Sequence, residues 1–223
     1  MQKNREIITT ADGSKTIFFP DINENYHSHH GALQEARHVF FKNGLDHFSG
    51  RNELTVFEVG FGTGLNTLLA IEYAEHHRKK ITYHSIEAFP VSLEEAGALD
   101  YGSLTGNPSL KTWATDLHLL SWNEEHRLTD HFRLKKLLSK LEDYSLETAF
   151  YDCIFFDAFG PRVQSEMWAP EILKKMYEGL KKEGLLVTYC AKGQVKRDLK
   201  SAGFRVEAAP GPPGKREMTL AWK

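Results

Sequence analysis

Cysteine is nearly missing from this chain. Only Cys153 and Cys190 occur among 223 residues, each inside an apolar run, "YDCIFF" and "LLVTYC". That excludes a disulfide framework and reads as two buried thiols in a reducing compartment. No run of 18 or more apolar residues is present, so no membrane span is expected. The opening "MQKNREIITTADG" lacks the apolar stretch of a signal peptide. Together these absences make the cytoplasm the expected location. Net charge is also nearly absent: 28 Lys/Arg against 30 Asp/Glu leave −2, which argues against a general nucleic-acid binder. There is no internal repeat, low-complexity tract or long linker.

The charge that exists is unevenly spread. Residues 174–223 hold 12 Lys/Arg and 5 Asp/Glu, a net of +7, whereas residues 1–173 hold 16 and 25, a net of −9. Such asymmetry permits a polyanion-binding face on a near-neutral protein; solvated helix and loop charges would read the same way. Hydrophobic content of 41% is enough for the core of one domain.

Residues 1–50 read as an extension of that domain. "REIITTADGSKTIFFP" forms a hairpin around Asp12-Gly13, and "GALQEARHVFFKNGLDHF" a helix. Residues 51–223 alternate between strand and helix patterns. Strands are expected at "LTVFEVG", "ITYHSIEA", near "HFRLKKL", at "YDCIFFDAF" and at "GLLVTYCA". Helices are expected at "GLNTLLAIEYAEHH", at "PVSLEEAGAL" with Pro90 as first helical residue, at "PEILKKMYEGL" and at "GQVKRDLKSAG". "FRVEAAP" and "REMTLAWK" close the chain as a strand pair. The alternation predicts an α/β, doubly wound, mostly parallel sheet with helices on both faces. Ligands in such sheets sit beyond the carboxyl ends of the strands.

"FEVGFGTGLN" stands at that place, between the first core strand and a helix. Glycine lets a ligand approach the backbone, and the helix start offers free N–H groups. Dinucleotides and S-adenosylmethionine both use such a loop. The spacing E-x-G-x-G-x-G of Glu58, Gly60, Gly62 and Gly64 departs from G-x-G-x-x-G and lies closer to the S-adenosylmethionine pattern. Glu87 ends the second core strand, where a carboxylate can accept both hydroxyls of a ribose without choosing between the two ligands. "FFDAFGPRVQSEMW" puts Asp157 at the end of a later strand, followed by Phe159 and Pro161. A carboxylate there can accept the N–H bonds of an amine, and an aromatic wall can stack on a flat base.

Four stretches in order, "FEVGFGTGLN", "DAFGPRVQSEMW", "EGLLVTYCAKGQVKRDLKSAGF" and "GPPGKREM", resemble the methyltransferase half of the MnmC family, a half that also occurs alone as MnmD. The likeness runs over roughly residues 20–223, and "NYHSHHGALQEARHVF" is similar to the segment ahead of that family's core. The resemblance implies a class I, Rossmann-like methyltransferase that uses S-adenosyl-L-methionine. It implies methylation of 5-aminomethyl(-2-thio)uridine to 5-methylaminomethyl(-2-thio)uridine at the wobble position, with the tRNA anticodon stem-loop as partner. The family's FAD-dependent oxidase half is expected to be absent, since the chain stops at Lys223, so a separate enzyme would supply the aminomethyl substrate.

Carried over by motif, the cofactor residues are Glu58, Gly60, Phe61, Gly62, Thr63, Gly64, Asn66 and Glu87. Asp157, Phe159 and Pro161 form the catalytic segment. Trp168, Lys192, Lys196, Arg197, Lys215 and Arg216 are expected to meet base or tRNA. One departure concerns the adenine: Lys136-Leu137 replaces a Gly-Asp pair, with Asp116 as a substitute. "GPPGKRE" lacks phosphate-loop spacing. "HSHH" (His27, His29, His30) has no accompanying ligand set, so no metal is expected. A non-catalytic tRNA- or nucleoside-binding protein, a nicotinamide-dependent reductase and a methyltransferase for another amine are the competing readings.

Overall fold

The computed structural model describes residues 4–104 and 108–223. A three-stranded antiparallel sheet comes first: β1 (Glu6–Thr9), β2 (Lys15–Phe19) and β3 (Glu24–Asn25). The hairpin around Asp12-Gly13 forms as its turn signals predict, with Ile7 opposite Ile17. The helix expected over residues 31–48 is broken into three pieces. After α1 (Ala32–Ala36) the chain widens into a π-helical stretch, Arg37–Lys42, then a 3-10 turn, Leu45–Phe48. The widening lets Val39, Phe40 and Phe41 all turn inward, where the two Phe rings meet Phe155 at 5.0 and 5.7 Å.

The remaining elements are β4 (Glu53–Val59), α2 (Leu65–His77), β5 (Lys80–Glu87), α3 (Leu93–Leu99), α4 (Tyr101–Leu104) and α5 (Pro108–Leu119). Then come β6 (Glu125–Arg127), β7 (Phe132–Leu138), β8 (Tyr151–Phe156), α6 (Pro170–Gly179), β9 (Leu180–Thr188), α7 (Gly193–Ser201), β10 (Arg205–Pro210) and β11 (Glu217–Trp222). Pro90 does not start a helix. Ser92 caps α3 instead, accepting the Glu95 N–H while Glu95 accepts the Ser92 N–H. The S-x-x-E signature of that box was present in the sequence.

Eight strands form the central sheet in the order β10-β11-β9-β8-β4-β5-β7-β6. The pairs from β9 through β7 are parallel, while β11, β10 and β6 run antiparallel at the edges. From β4 the chain winds outward through β5 to β7, then returns to β8 on the other side of β4. The order reverses between β4 and β8, and a crevice opens beyond their carboxyl ends. Strand alternation divides the core. Leu54 and Val56 of β4, with Cys153 and Phe155 of β8, pack under α2, α5 and the N-terminal segment. Phe57, Val59, Ile154 and Phe156 pack under α6 and α7.

Candidate active site

The glycine loop crosses the crevice between β4 and α2. Gly60 and Phe61 both donate to the Ile86 carbonyl, at 3.0 and 3.1 Å, which ties the loop to the end of β5. All three glycines have positive φ: 93° at Gly60, 50° at Gly62 and 75° at Gly64. A Cβ at Gly62 would lie 2.9 Å from the Tyr26 ring, and one at Gly64 would lie 3.1 Å from His118 Nε2. Conformation favours glycine at both positions, and at Gly62 the Tyr26 ring would also have to shift to admit a side chain. Glu87 organises the same loop: its Oε2 accepts the Gly62 N–H (3.0 Å) and its Oε1 the Phe89 N–H (2.8 Å). A carboxylate oxygen accepts more than one bond, so both keep capacity for a ligand's hydroxyls.

Asp157 follows the end of β8, its N–H bonded to the Val59 carbonyl at 3.2 Å. Its side chain accepts from Asn66 Nδ2 at 2.9 Å. Burial pushes its carboxyl up to about 7, and the negative charge of Glu35 adds to the rise; Asn66 and Lys215 oppose it. The next residues are braced from behind. Tyr189 OH donates to the Ala158 carbonyl (2.9 Å), Trp168 Nε1 to the Phe159 carbonyl (2.8 Å), and the Phe159 N–H reaches Gln164 Oε1 (3.2 Å). The Phe159 ring faces the cleft beside Phe19 and Tyr26, with centroids at 5.6 and 5.3 Å.

The N-terminal extension forms a wall of this site. Arg5, Phe19, Tyr26 and His27 line the cleft. Arg5 bonds Glu95 at the start of α3 (3.0 Å), spanning from the small sheet to the core. His27 is held at Thr16, and burial pushes its imidazole down to about 4, so it is neutral at physiological pH. The cleft measures about 1540 Å³. Its charge is lopsided: Asp21, Glu87, Glu94, Glu95, Glu142, Asp157 and Glu166 stand against Arg5 and Lys140. Such a cleft favours cationic ligands and repels phosphates.

A family profile described as S-adenosyl-L-methionine-dependent methyltransferase matches residues 114–223. A bifunctional protein for tRNA 5-methylaminomethyl-2-thiouridine biosynthesis, MnmC of Cupriavidus metallidurans, is 32% identical over 97% of this chain and 33% of its own length. The protein of the same description in Cupriavidus necator is 33% identical over 97% of the chain and 34% of its own. The crystal structure of MnmC2 from Aquifex aeolicus superposes with a TM-score of 0.78 at 26% identity, covering 99% of this chain and 70% of that one. The chain is similar to the S-adenosylmethionine-dependent methyltransferases in sequence over residues 114–223 and in fold throughout. It spans about a third of the length of the curated relatives it matches, and its sheet is that of the class I methyltransferases.

The methyltransferase cleft fits the donor on its own geometry. A glycine loop in the left-handed region, a carboxylate with spare acceptor capacity and an acidic wall suit a cationic sulfonium nucleoside. Of the residues expected at the cofactor, Gly60, Phe61, Gly62, Thr63, Asn66 and Glu87 line the cleft; Gly64 supports the turn against Phe61 and His118. Glu58 does not line it. This carboxyl is 1% exposed beneath the loop, accepting from Ser85 (2.5 Å) and Thr67 (3.2 Å), and burial pushes it up to about 8. Pro161 also lies outside the lining residues, in the turn after Phe159. Trp168 is buried behind the Asp157–Phe159 segment, with Phe156 at 4.9 Å, and supports it rather than facing a base.

The adenine substitutes are displaced as well. Lys136 is fully buried, its Nζ capping the Leu117 carbonyl at the end of α5 (2.7 Å), and Asp116 is exposed on that helix outside the lining residues. Ser139, Lys140, Leu141 and Glu142, just after β7, line the cleft in their place. Among the expected RNA contacts, Lys192, Arg197 and Arg216 are exposed. Lys196 is paired with Glu217 (2.7 Å), and Lys215 with Glu35 (2.5 Å) while lying 4.0 Å over the Tyr189 ring. Those two cations are already committed within the fold.

Proposed function

We propose that this methyltransferase acts on the amine of 5-aminomethyl(-2-thio)uridine in the anticodon loop of tRNA and forms 5-methylaminomethyl(-2-thio)uridine. The names of its relatives supply the substrate class. The observation that carries the reading is the Asp157 carboxylate at the mouth of the glycine loop inside an acidic cleft. An aminomethyl group is cationic in water, and such a cleft draws it in. The phosphates that flank the nucleotide are repelled, so only the everted nucleoside enters.

When bound, S-adenosyl-L-methionine supplies an electrophilic methyl group on a sulfonium, and its sulfur keeps the bonding pair as the methyl leaves. Glu87 and the Gly60–Gly62 backbone hold the nucleoside half of that donor. Phe159, Tyr26 and Phe19 offer ring faces for the uracil. Asp157 accepts an N–H from the amine. Its carboxyl, raised to about 7 by burial, is basic enough to take a proton at neutral pH, which an ordinary aspartate is not. The freed lone pair then forms the N–C bond. Phosphates outside the cleft meet Lys192, Arg197 and Arg216.

The test is nucleoside mass spectrometry of tRNA bearing aminomethyluridine, incubated with enzyme and donor. A gain of one methyl group on that nucleoside is expected. A methylated base at another position, or none, would overturn the assignment.

A further inference from the structure

Asn66 is the second residue of α2, surrounded in sequence by Leu65, Leu68, Leu69, Ala70 and Ile71, all buried. It is itself 3% exposed. Its Nδ2 donates to Asp157 Oδ2 and its amide also favours the ionised form of Glu58 beneath it, yet its Oδ1 is sealed from solvent and meets no donor among the described residues. A buried carbonyl without a partner costs desolvation free energy. Leucine, close in size and without polar atoms, would escape that cost in a helix already rich in leucine. Stability of the fold therefore does not account for asparagine here. The bond across 91 residues to Asp157 does.

Resting on the amine-methylation reading above, we infer that Asn66 is a positioning residue: its amide holds Asp157 Oδ2 and leaves Oδ1 as the acceptor for the substrate amine. This moves Asn66 from the cofactor side of the cleft to the substrate side. A carboxylate with one oxygen anchored presents a single acceptor in a fixed rotamer, whereas a free one rotates and loses alignment. The amide donor also favours the ionised carboxylate. The other titratable groups that act on Asp157 are Glu35 from α1, Lys215 from the loop before β11, Tyr189 after β9, Tyr83 from β5 and Glu58 beneath the loop. Asn66 is the partner that bonds it directly.

The decisive experiment is a double-mutant cycle with Asn66→Leu and Asp157→Asn, read by four measurements. Asn66→Leu should melt at or above the wild-type temperature and bind S-adenosylmethionine within about twofold of wild type. Its kcat should fall about ten- to a hundredfold, with KM for tRNA changed less. The acid limb of its pH–rate profile should move to higher pH, because the donor that favours ionised Asp157 is gone. In the Asp157→Asn background the same substitution should cost little more. An unchanged kcat, a fully additive loss, or a loss of turnover that follows falling melting temperature and cofactor affinity would overturn the role. Should Asn66→Leu fail to fold, Asn66→Ala is read by the same criteria. A wild-type enzyme that binds the donor but leaves aminomethyluridine unmodified would instead overturn the parent reading, and this inference with it.

Discussion

Asp152 and Asp157 stand at opposite ends of one strand. Asp152 lies near the start of β8, 2% exposed, and receives three donors, Arg51 (2.6 Å), the Thr55 N–H (2.7 Å) and Lys181 (2.9 Å), with the Thr55 hydroxyl shared between it (2.9 Å) and the Phe150 carbonyl (2.5 Å). Asp157 follows the end of β8 and receives one side-chain donor, Asn66, among the described residues. The first carboxylate is fully engaged and locks β4, β8 and β9 together at the amino ends of the strands. The second keeps acceptor capacity in reserve, and burial raises its carboxyl toward neutrality. One strand thus carries a carboxylate built for the fold and, at its other end, one with room left for a ligand's donor, and the number of donors tells them apart.

Truncating each aspartate should separate these roles most sharply. Asp157→Ala is expected to lose on the order of 10²-fold or more in turnover, with donor affinity and melting temperature near wild type. Asp152→Ala should instead destabilise the fold by about 2–4 kcal/mol in urea unfolding, because it strands Lys181, Arg51 and the Thr55 N–H. Its remaining folded fraction should turn over normally. Equal stability losses for the two variants would break the comparison.

The next effect in size belongs to the loop between β4 and α2. Gly62→Val forces a side chain to φ 50° and into the Tyr26 ring. Donor affinity, read by calorimetry, should fall more than about tenfold. Gly97→Ala, in an α3 position with open space around it, should leave affinity unchanged.

Much of this was legible along the chain. The strand–glycine–helix unit and Asp157 at a strand end follow from local periodicity and turn chemistry, which neighbouring residues determine. The misses are tertiary. Lys136, placed by the motif where the adenine contact was expected, is buried instead, and only the end of α5 above it explains that burial. Tyr26 against Gly62 and Asn66 against Asp157 join segments far apart in sequence, so no window contains the signal. Glu58 and Trp168 sit in the right motifs but point into the core, because strand and turn direction decide which face a side chain meets. Lys196 and Lys215 look free in sequence since their partners, Glu217 and Glu35, lie on other elements.

The pH dependence of stability sharpens the contrast further. Asp157 is raised from 3.8 to about 7 and Glu58 from 4.5 to about 8. Between pH 4 and 7, roughly, the folded chain keeps a proton at Asp157 that the unfolded chain has lost, so that group's contribution to stability falls as pH rises through that window. Glu58 extends the fall toward pH 8. His27 and His118, pushed down by burial to about 4, act in the opposite sense up to about pH 6.5, so melting temperatures should decline from about pH 6.5 to 8 in the wild type and more shallowly in Asp157→Asn. The smallest effect concerns RNA. Replacing exposed Lys192 and Arg197 together by alanine should flatten the salt dependence of tRNA binding by about 1–2 contacts. Lys196→Ala, whose cation is held by Glu217, should change the slope less.

The account rests on Asp157 taking the amine's proton near neutrality, and a single-turnover pH–rate profile of tRNA methylation at saturating donor tests that directly. A rate that rises about tenfold per pH unit and levels off near pH 7 is expected, with Asp157→Asn showing a low rate and no such limb. An alkylamine left to titrate alone would place the limb well above 7. A limb near 7 that survives in Asp157→Asn at wild-type rate would contradict the account.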